Sequence, residues 1–500
     1  MTSAQTLAMT LPHLQAELCL TAGVCTVLLA EMVLPAKERS AAGWAAAAFA
    51  VMALVLALKP PAGTAGVSEM LFPDRMASYL QALVISATLA VILLTLRSSE
   101  AERMPAGETY AFLLAAALGC CILASSRNLL LLYLGMEIVS YASYLLAGFL
   151  KRDLRANEAA LKYVLYGAVA SGCMLFGISL LYGMAGTLDL ERLPGALAAF
   201  PAPLALAVPF ALVLAGLGFK VSVAPFHQWT PDVYEGAPTP VSAFLSVAPK
   251  AAGLAALARL CVLGLTAAGT PVVPWPAVIG LLAALTMTTG NLCALFQTNV
   301  KRMLAYSSVA HAGYMLMGLA AAGGGVEGVR AVLFYLAVYL AMNLGAFGVV
   351  MAFTRITGSE ELQAWKGMGW RHPFLGSCMV VFLMSLTGLP PFGGFVGKFM
   401  LFKAAWGASL GMEGIRWMWA LITLGLLNSV VSLFYYLGVA KTLFVASPAT
   451  EGEGAGPARS AGWLQPLTVG ALAALTLLAG LRWAPLAAMA DAVTLGLCAP

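Results

Sequence analysis

Four ionisable side chains stand where the chain is otherwise apolar: Glu137, Lys220, Lys250 and Lys398. Apolar runs flank Lys220 on both sides, Leu204–Phe219 before it and Val221–Phe226 after it. Each such group costs roughly 2.5–3.5 kcal/mol at the centre of a membrane helix, so a retained one is a candidate for function. The chemistry this set supports is proton binding and release. A lysine in a low dielectric holds its proton weakly, and a nearby carboxylate restores the hold. At about 6 Å and an effective dielectric near 20 the attraction is ~3 kcal/mol, enough to move a lysine between its two states. Snorkelling to an interface or static pairing is the alternative; it suits Lys403, nearer a helix end, better than Lys220.

Histidine titrates near neutral pH and bridges such relays. His227 stands seven residues past Lys220, and His311 lies on a polar stripe with Ser307 and Tyr314. Each is equally readable as a structural histidine. Further stripes at helical spacing are Tyr133, Glu137, Tyr141 and Tyr144; Tyr335, Tyr339 and Asn343; and Asn428, Ser432 and Tyr435. Interhelical hydrogen bonding explains any one of them. Several stripes with buried lysines between them suggest a hydrated polar axis. Lys162 is four residues after Glu158, the spacing of an ordinary helix surface pair. Glu17 and Glu31 share a face near the ends of the first apolar block and read as interfacial.

Groups of this kind need helices that cross a membrane. Of 500 residues 61% are hydrophobic and only 10% charged, whereas soluble domains carry about 25% charge. The apolar residues come in blocks of about 18 to 25, the length that crosses a bilayer. About fourteen spans are expected. They run roughly Glu17–Leu34, Ala41–Leu58, Met76–Leu96, Tyr110–Ala124, Leu129–Leu150, Tyr163–Ala185 and Leu204–Trp229. The rest are Val241–Leu263, Val278–Phe296, Met303–Ala322, Val329–Phe353, Phe374–Gly407, Ile415–Phe444 and Leu464–Ala484, the last after a Gly/Ser/Glu-rich loop at Glu451–Ser460. The first block lacks a preceding basic region and is expected to stay as a helix. Basic residues concentrate in loops after odd-numbered spans, which places those loops in the cytoplasm and both termini outside.

The net charge of +5 is spread around the apolar blocks and forms no long basic face, so no nucleic-acid partner is expected. Nine scattered cysteines form no C-x-x-C, four histidines are too dispersed to pair on a haem, and no complete phosphate-binding glycine motif occurs. No cofactor or metal is expected in this chain.

Two spans look broken. The seventh contains Val223-Ala224-Pro225-Phe226-His227, and the twelfth contains Leu389-Pro390-Pro391-Phe392-Gly393-Gly394. Proline removes a backbone donor, and in lipid the freed carbonyls survive only against protein or water. The breaks are five spans apart, which suggests two five-helix units in inverted orientation. The division expected is three N-terminal helices over 1–107, a first repeat over 108–265, a second over 266–446, and a loop with a final helix over 447–500.

From Lys220 to Phe244 the sequence (KVSVAPFHQWTPDVYEGAPTPVSAF) resembles the antiporter-like membrane subunits of proton-pumping NADH–quinone oxidoreductase, respiratory complex I. The runs Leu245–Lys250, Lys301–Tyr314 and Gly388–Phe399 are similar to the bacterial subunit N branch of that family. The resemblance implies an all-α integral membrane protein of fourteen helices, with helices 4–8 and 9–13 as inverted repeats and helices 7 and 12 broken. It implies that Glu137 is the charged partner of Lys220, Lys250 the central relay lysine and Lys398 the terminal proton site, with Lys162 and His227 on the path.

The function so implied is proton translocation in the bacterial inner membrane, driven by electron transfer in other subunits of the complex. Neither NADH nor quinone would bind this chain directly, and the isolated chain would be inactive. Two alternatives stay open: a subunit of a multisubunit cation/proton antiporter or membrane-bound hydrogenase, and a structural scaffold with static lysines.

Overall fold

The computed structural model describes residues 11–33, 40–59, 70–96, 98, 103–200, 203–411, 416–445 and 463–494. The loop at Glu451–Ser460, most of the segment Pro60–Phe72, and Lys37 and Arg39 lie outside them. The helices are α1 Gln15–Val33, α2 Ser40–Ala57, α3 Arg75–Thr95, α4 Ala106–Ser125, α5 Leu129–Ala147, α6 Leu154–Ala185, α7 Ala207–Val221, α8 Trp229–Gly236 and α9 Thr239–Arg259. They continue as α10 Trp275–Leu295, α11 Val300–Ala321, α12 Glu327–Thr357, α13 Pro373–Thr387, α14 Gly393–Gly411, α15 Arg416–Phe444, α16 Leu464–Leu481 and α17 Ala484–Thr494. Short helical turns join some of these, and a two-residue hairpin pairs Thr266–Ala267 with Thr270–Pro271.

Among the described residues eleven helices are long and apolar enough to cross a membrane, and α2 and α13 are shorter apolar helices. Outward-facing side chains such as Leu165, Val169, Phe176, Leu427 and Phe434 are exposed, the surface that lipid covers. The fold is that of an all-α integral membrane protein. Polar N-caps set several helix starts: Asp74 accepts from the Ala77 N–H at 2.7 Å, Asn128 from Leu130 at 2.9 Å and Asn299 from Arg302 at 3.1 Å. At the centre lies α9, with every residue buried, and Pro249 interrupts its hydrogen-bond ladder beside Lys250.

The two proline-rich spans divide as expected, into α7 with α8 and into α13 with α14. At the first break Ser222 takes a left-handed conformation (φ 68°) that ends α7. The Ala224 N–H donates to Thr286 Oγ1 of α10 at 3.0 Å, and the Trp229 indole donates to the Phe219 carbonyl at 3.0 Å. At the second break Gly388 closes α13 at φ 91°, and a Cβ there would meet Lys398 Cδ at 2.8 Å. Ser385 Oγ accepts from the Gly394 N–H at 3.0 Å. Neighbouring protein therefore satisfies the backbone groups that each break frees.

The sequence boundaries shift in places. The sixth span begins a full two turns earlier, at Leu154, because Asp153 caps it through the Arg155 N–H at 2.9 Å. Beyond the last span a further helix, α17, packs on α12 and α3.

Candidate proton-relay site

Glu137 and Ser140 lie one turn apart on α5. Lys220, 1% exposed near the end of α7, donates from Nζ to Ser140 Oγ at 2.8 Å. Glu137 accepts instead from Ser171 Oγ of α6, and Ser171 also meets the Tyr133 hydroxyl at 3.1 Å. The lysine and the carboxylate are thus held by two different hydroxyls, Ser140 on the helix of Glu137 and Ser171 on α6, and form no direct ion pair among the described residues.

An aromatic wall stands between Lys220 and Lys250. Lys220 Nζ sits 6.0 Å from the centroid of the Tyr163 ring, which stacks on Trp229 at 4.4 Å. Trp229 meets the Tyr234 ring edge-on at 6.2 Å, and Lys250 Nζ lies 5.8 Å from the Tyr234 centroid. Among the described residues the buried Tyr163 and Tyr234 hydroxyls have no hydrogen-bond partner. His227 is half-buried in the break beside this wall, and its Nδ1 is likewise unpartnered.

From Lys250 onward the polar groups form three hydrogen-bonded clusters. Lys250 Nζ donates to Ser308 Oγ at 2.5 Å, and the Tyr339 hydroxyl donates to the same oxygen at 2.9 Å. His311, one turn along α11, holds the Tyr335 hydroxyl on Nδ1 at 2.6 Å and the Tyr436 hydroxyl on Nε2 at 3.1 Å. Tyr436 also bonds Ser307. Lys398 Nζ donates to the Thr387 carbonyl at 2.8 Å, at the open end of α13, and lies 4.6 Å from the centroid of Tyr314. Hydroxyls and an imidazole both give and accept protons, and the His311 ring approaches the Lys250 cluster at the Tyr339 ring, 5.4 Å away between centroids.

Lys162 is placed elsewhere. It is 37% exposed and pairs with Glu158 at 2.7 Å and with Asp232 of α8 at 2.6 Å. Arg302 of α11 pairs with Asp232 at 2.7 Å and with Glu235 at 2.8 Å, so the cluster ties α6, α8 and α11 together on one face. Burial opposes the charge on Asp232, but hydrogen bonds from Lys162 and Arg302 overcome it and hold the carboxyl below the usual range. Lys301 anchors the same face, bonding the Ala237 carbonyl at 2.9 Å and Glu360 at 2.8 Å.

One expectation needs correction. Tyr141, placed on the Glu137 stripe, is 64% exposed and faces outward, because a stripe at 3–4-residue spacing on α5 is wider than the contact with α6 and α7. Glu17, in the first turn of α1, is enclosed by protein as well, with Gln81 of α3 donating to it across the N-terminal helices. Sequence reasoning missed Ser140, Ser308, Tyr436 and the Thr387 carbonyl, the groups that touch the lysines or His311. Ser140 and Ser308 had a signal, a hydroxyl one turn from Glu137 and one beside Ser307; the Thr387 carbonyl had none. Among the described residues no three His, Cys, Asp or Glu side chains are grouped as a metal ion requires.

Residues 126–431 match the family model described as NADH:quinone oxidoreductase/Mrp antiporter, transmembrane. The chain is 42% identical over 497 residues to an NADH-quinone oxidoreductase subunit N of Anaeromyxobacter sp., covering 95% of each chain. It is 49% identical over 393 residues to a second such subunit, from Sorangium cellulosum, covering 77% of this chain and 75% of that one. Among solved structures it superimposes on a chain of respiratory complex I from Thermus thermophilus with a TM-score of 0.76, at 34% identity over 95% of this chain and 98% of that chain. A chain of the Mrp complex from Dietzia sp. shares the fold, with a TM-score of 0.79 at 21% identity over 97% of each chain.

Proposed function

The chain belongs to the NADH-quinone oxidoreductase subunit N family, and from that premise we propose that it carries protons across the bacterial inner membrane as a non-redox part of respiratory complex I. Other membrane subunits of the complex are its partners, and electron transfer in them supplies the energy. Glu137, Lys220, Lys250, His311 and Lys398 form the proton path, and His227 stands beside the aromatic wall as a bridging base. Lys162 acts at one end of the path, through Asp232 on the half-helix α8. Neither NADH nor quinone binds this chain, and it holds no cofactor.

One observation carries the reading: three lysines, each almost wholly buried, are held by a hydroxyl or a carbonyl and, among the described residues, by no counter-ion. A lysine kept only for structure would be costly in that state, and paired carboxylates would be the cheaper solution. A lysine that must gain and lose its proton needs an acceptor that tolerates both forms, which a serine hydroxyl does by rotating. Movement of Glu137 relative to Lys220 changes the electrostatic hold on the Lys220 proton, and the freed proton passes toward Lys250.

We read the fold as fourteen passes, three N-terminal helices (1–107), two inverted five-helix repeats (108–265 and 266–446) and a last helix within 447–500. In support, each repeat has a broken fourth span with a buried lysine beside the break. Both termini are assigned to the outer side. The test is complementation. Membranes that lack this chain should regain NADH-driven proton uptake into inverted vesicles with the wild-type chain and not with Lys250→Ala, at equal amounts of assembled complex. Restoration by Lys250→Ala to the wild-type ratio of protons to electrons would defeat the proposal.

A further inference from the structure

We propose that Glu17 is a second proton-exchange site, separate from the lysine axis, which opens onto the face where α1 begins. Glu17 lies in the first turn of α1 and is only 5% exposed. Its Oε1 accepts from Gln81 Nε2 of α3 at 2.6 Å, while its Oε2 is buried with no hydrogen-bond partner among the described residues. The side chain lines a cavity of about 190 Å³ with His13, Lys59, Asp74, Gln81 and Ser125, a space large enough for several waters.

The surrounding charges do not complete the carboxylate. Asp74 is already held by Arg259 through two hydrogen bonds, of 2.7 and 2.8 Å, and by the Ala77 N–H. Lys59, after α2, and His13, before α1, line the cavity, but neither pairs with Glu17 among the described residues.

An ionised carboxylate with one oxygen buried and unpaired is costly. A carboxylic acid resolves the geometry. Its carbonyl oxygen keeps the Gln81 bond, the proton removes the charge from the enclosed Oε2, and a turn of the carboxyl brings that hydroxyl toward cavity water. Release moves that proton from Oε2 to a cavity water, leaving the carboxylate and a hydronium ion; uptake is the reverse. None of the relay residues lines this cavity, so the site exchanges with one face alone.

The experiment is infrared difference spectroscopy of the purified, assembled complex between acidic and alkaline buffer, in H₂O and in D₂O. The expected result is a protonated-carboxyl carbonyl band that shifts in D₂O, is lost in Glu17→Gln and moves in Gln81→Leu. Electron transfer in Glu17→Gln should match the wild type. A spectrum unaltered by Glu17→Gln overturns the proposal. So does displacement of the band by sodium at fixed pH and ionic strength, which would mark a cation site. Should Glu17→Gln fail to assemble, Gln81→Leu decides the matter, because that variant keeps the carboxyl and its band must move.

Discussion

Lys220 donates its hydrogen bond to Ser140, one helical turn from Glu137, and not to Glu137 itself. The carboxylate is occupied by Ser171 on the next helix. A lysine held this way keeps a hydroxyl partner in both protonation states. The consequences reach beyond the two residues.

Ser140→Ala leaves the Lys220 ammonium buried without its acceptor, at a cost of ~1–3 kcal/mol. Ser140→Thr keeps a hydroxyl at the same place. The expected outcome is that the alanine variant translocates fewer protons per electron while the threonine variant stays near wild type, measured in inverted vesicles at equal assembly. Equal ratios for both variants would remove Ser140 from the path.

Tyr436→Phe deletes the hydroxyl that serves both Ser307 and His311 Nε2. A barrier raised by ~1.4 kcal/mol at this step slows proton transfer about tenfold. Pumping per electron should fall with the complex intact, and Tyr435→Phe, whose hydroxyl bonds Asn291 instead, should have the smaller effect. The reverse ranking would contradict the connectivity drawn through His311.

The helix that carries Lys250 is secured at its far end by a pair between a buried arginine and a half-buried aspartate. Arg259, with no side-chain exposure, bonds both carboxylate oxygens of Asp74 and the Ala124 carbonyl. Breaking such a pair from one side costs ~3–5 kcal/mol, whereas replacing both partners by apolar groups is often neutral. Asp74→Leu alone should lower the amount of assembled complex sharply, and Asp74→Leu with Arg259→Met should recover much of it. Quantitative blotting of membranes against a partner subunit reads the difference.

Asp232 gives a pH dependence with a definite sign. Its carboxyl is held below the usual range, so the pairing with Lys162 and Arg302 contributes stability that is fully present above the unfolded value of about 3.9. That contribution is lost as pH falls through the lower, folded value. Thermal unfolding of the purified complex should show an acid limb that Asp232→Asn flattens, and little difference in slope between the two proteins near neutral pH.

Much of this was legible in the sequence, for identifiable reasons. A lysine inside a run such as Leu204–Phe226 stands out because lipid makes every charge expensive, and Pro225 and Pro391 mark breaks because proline cannot donate. Lys220, Lys250 and Lys398 are all buried where their spacing placed them. Contacts made across helices were less legible. Periodicity gives a face but not its neighbour, so Tyr141 and Tyr144 looked alike although one faces outward and the other packs on Tyr163. The Thr387 carbonyl has no side-chain signature at all; it is free to receive Lys398 because α13 ends there. Glu17 was legible only in part for a related reason. Its position near a helix end suggested an interface, and only Gln81, sixty-four residues away in sequence, shows that protein encloses it as well.

The central claim is that the buried lysines carry protons, and Lys220→Ala tests it most directly. The measurement is NADH-driven acidification of inverted vesicles, normalised to electron transfer and to assembled complex. The account predicts that acidification per electron drops while assembly holds. An unchanged ratio would make Lys220 a structural residue and contradict the relay.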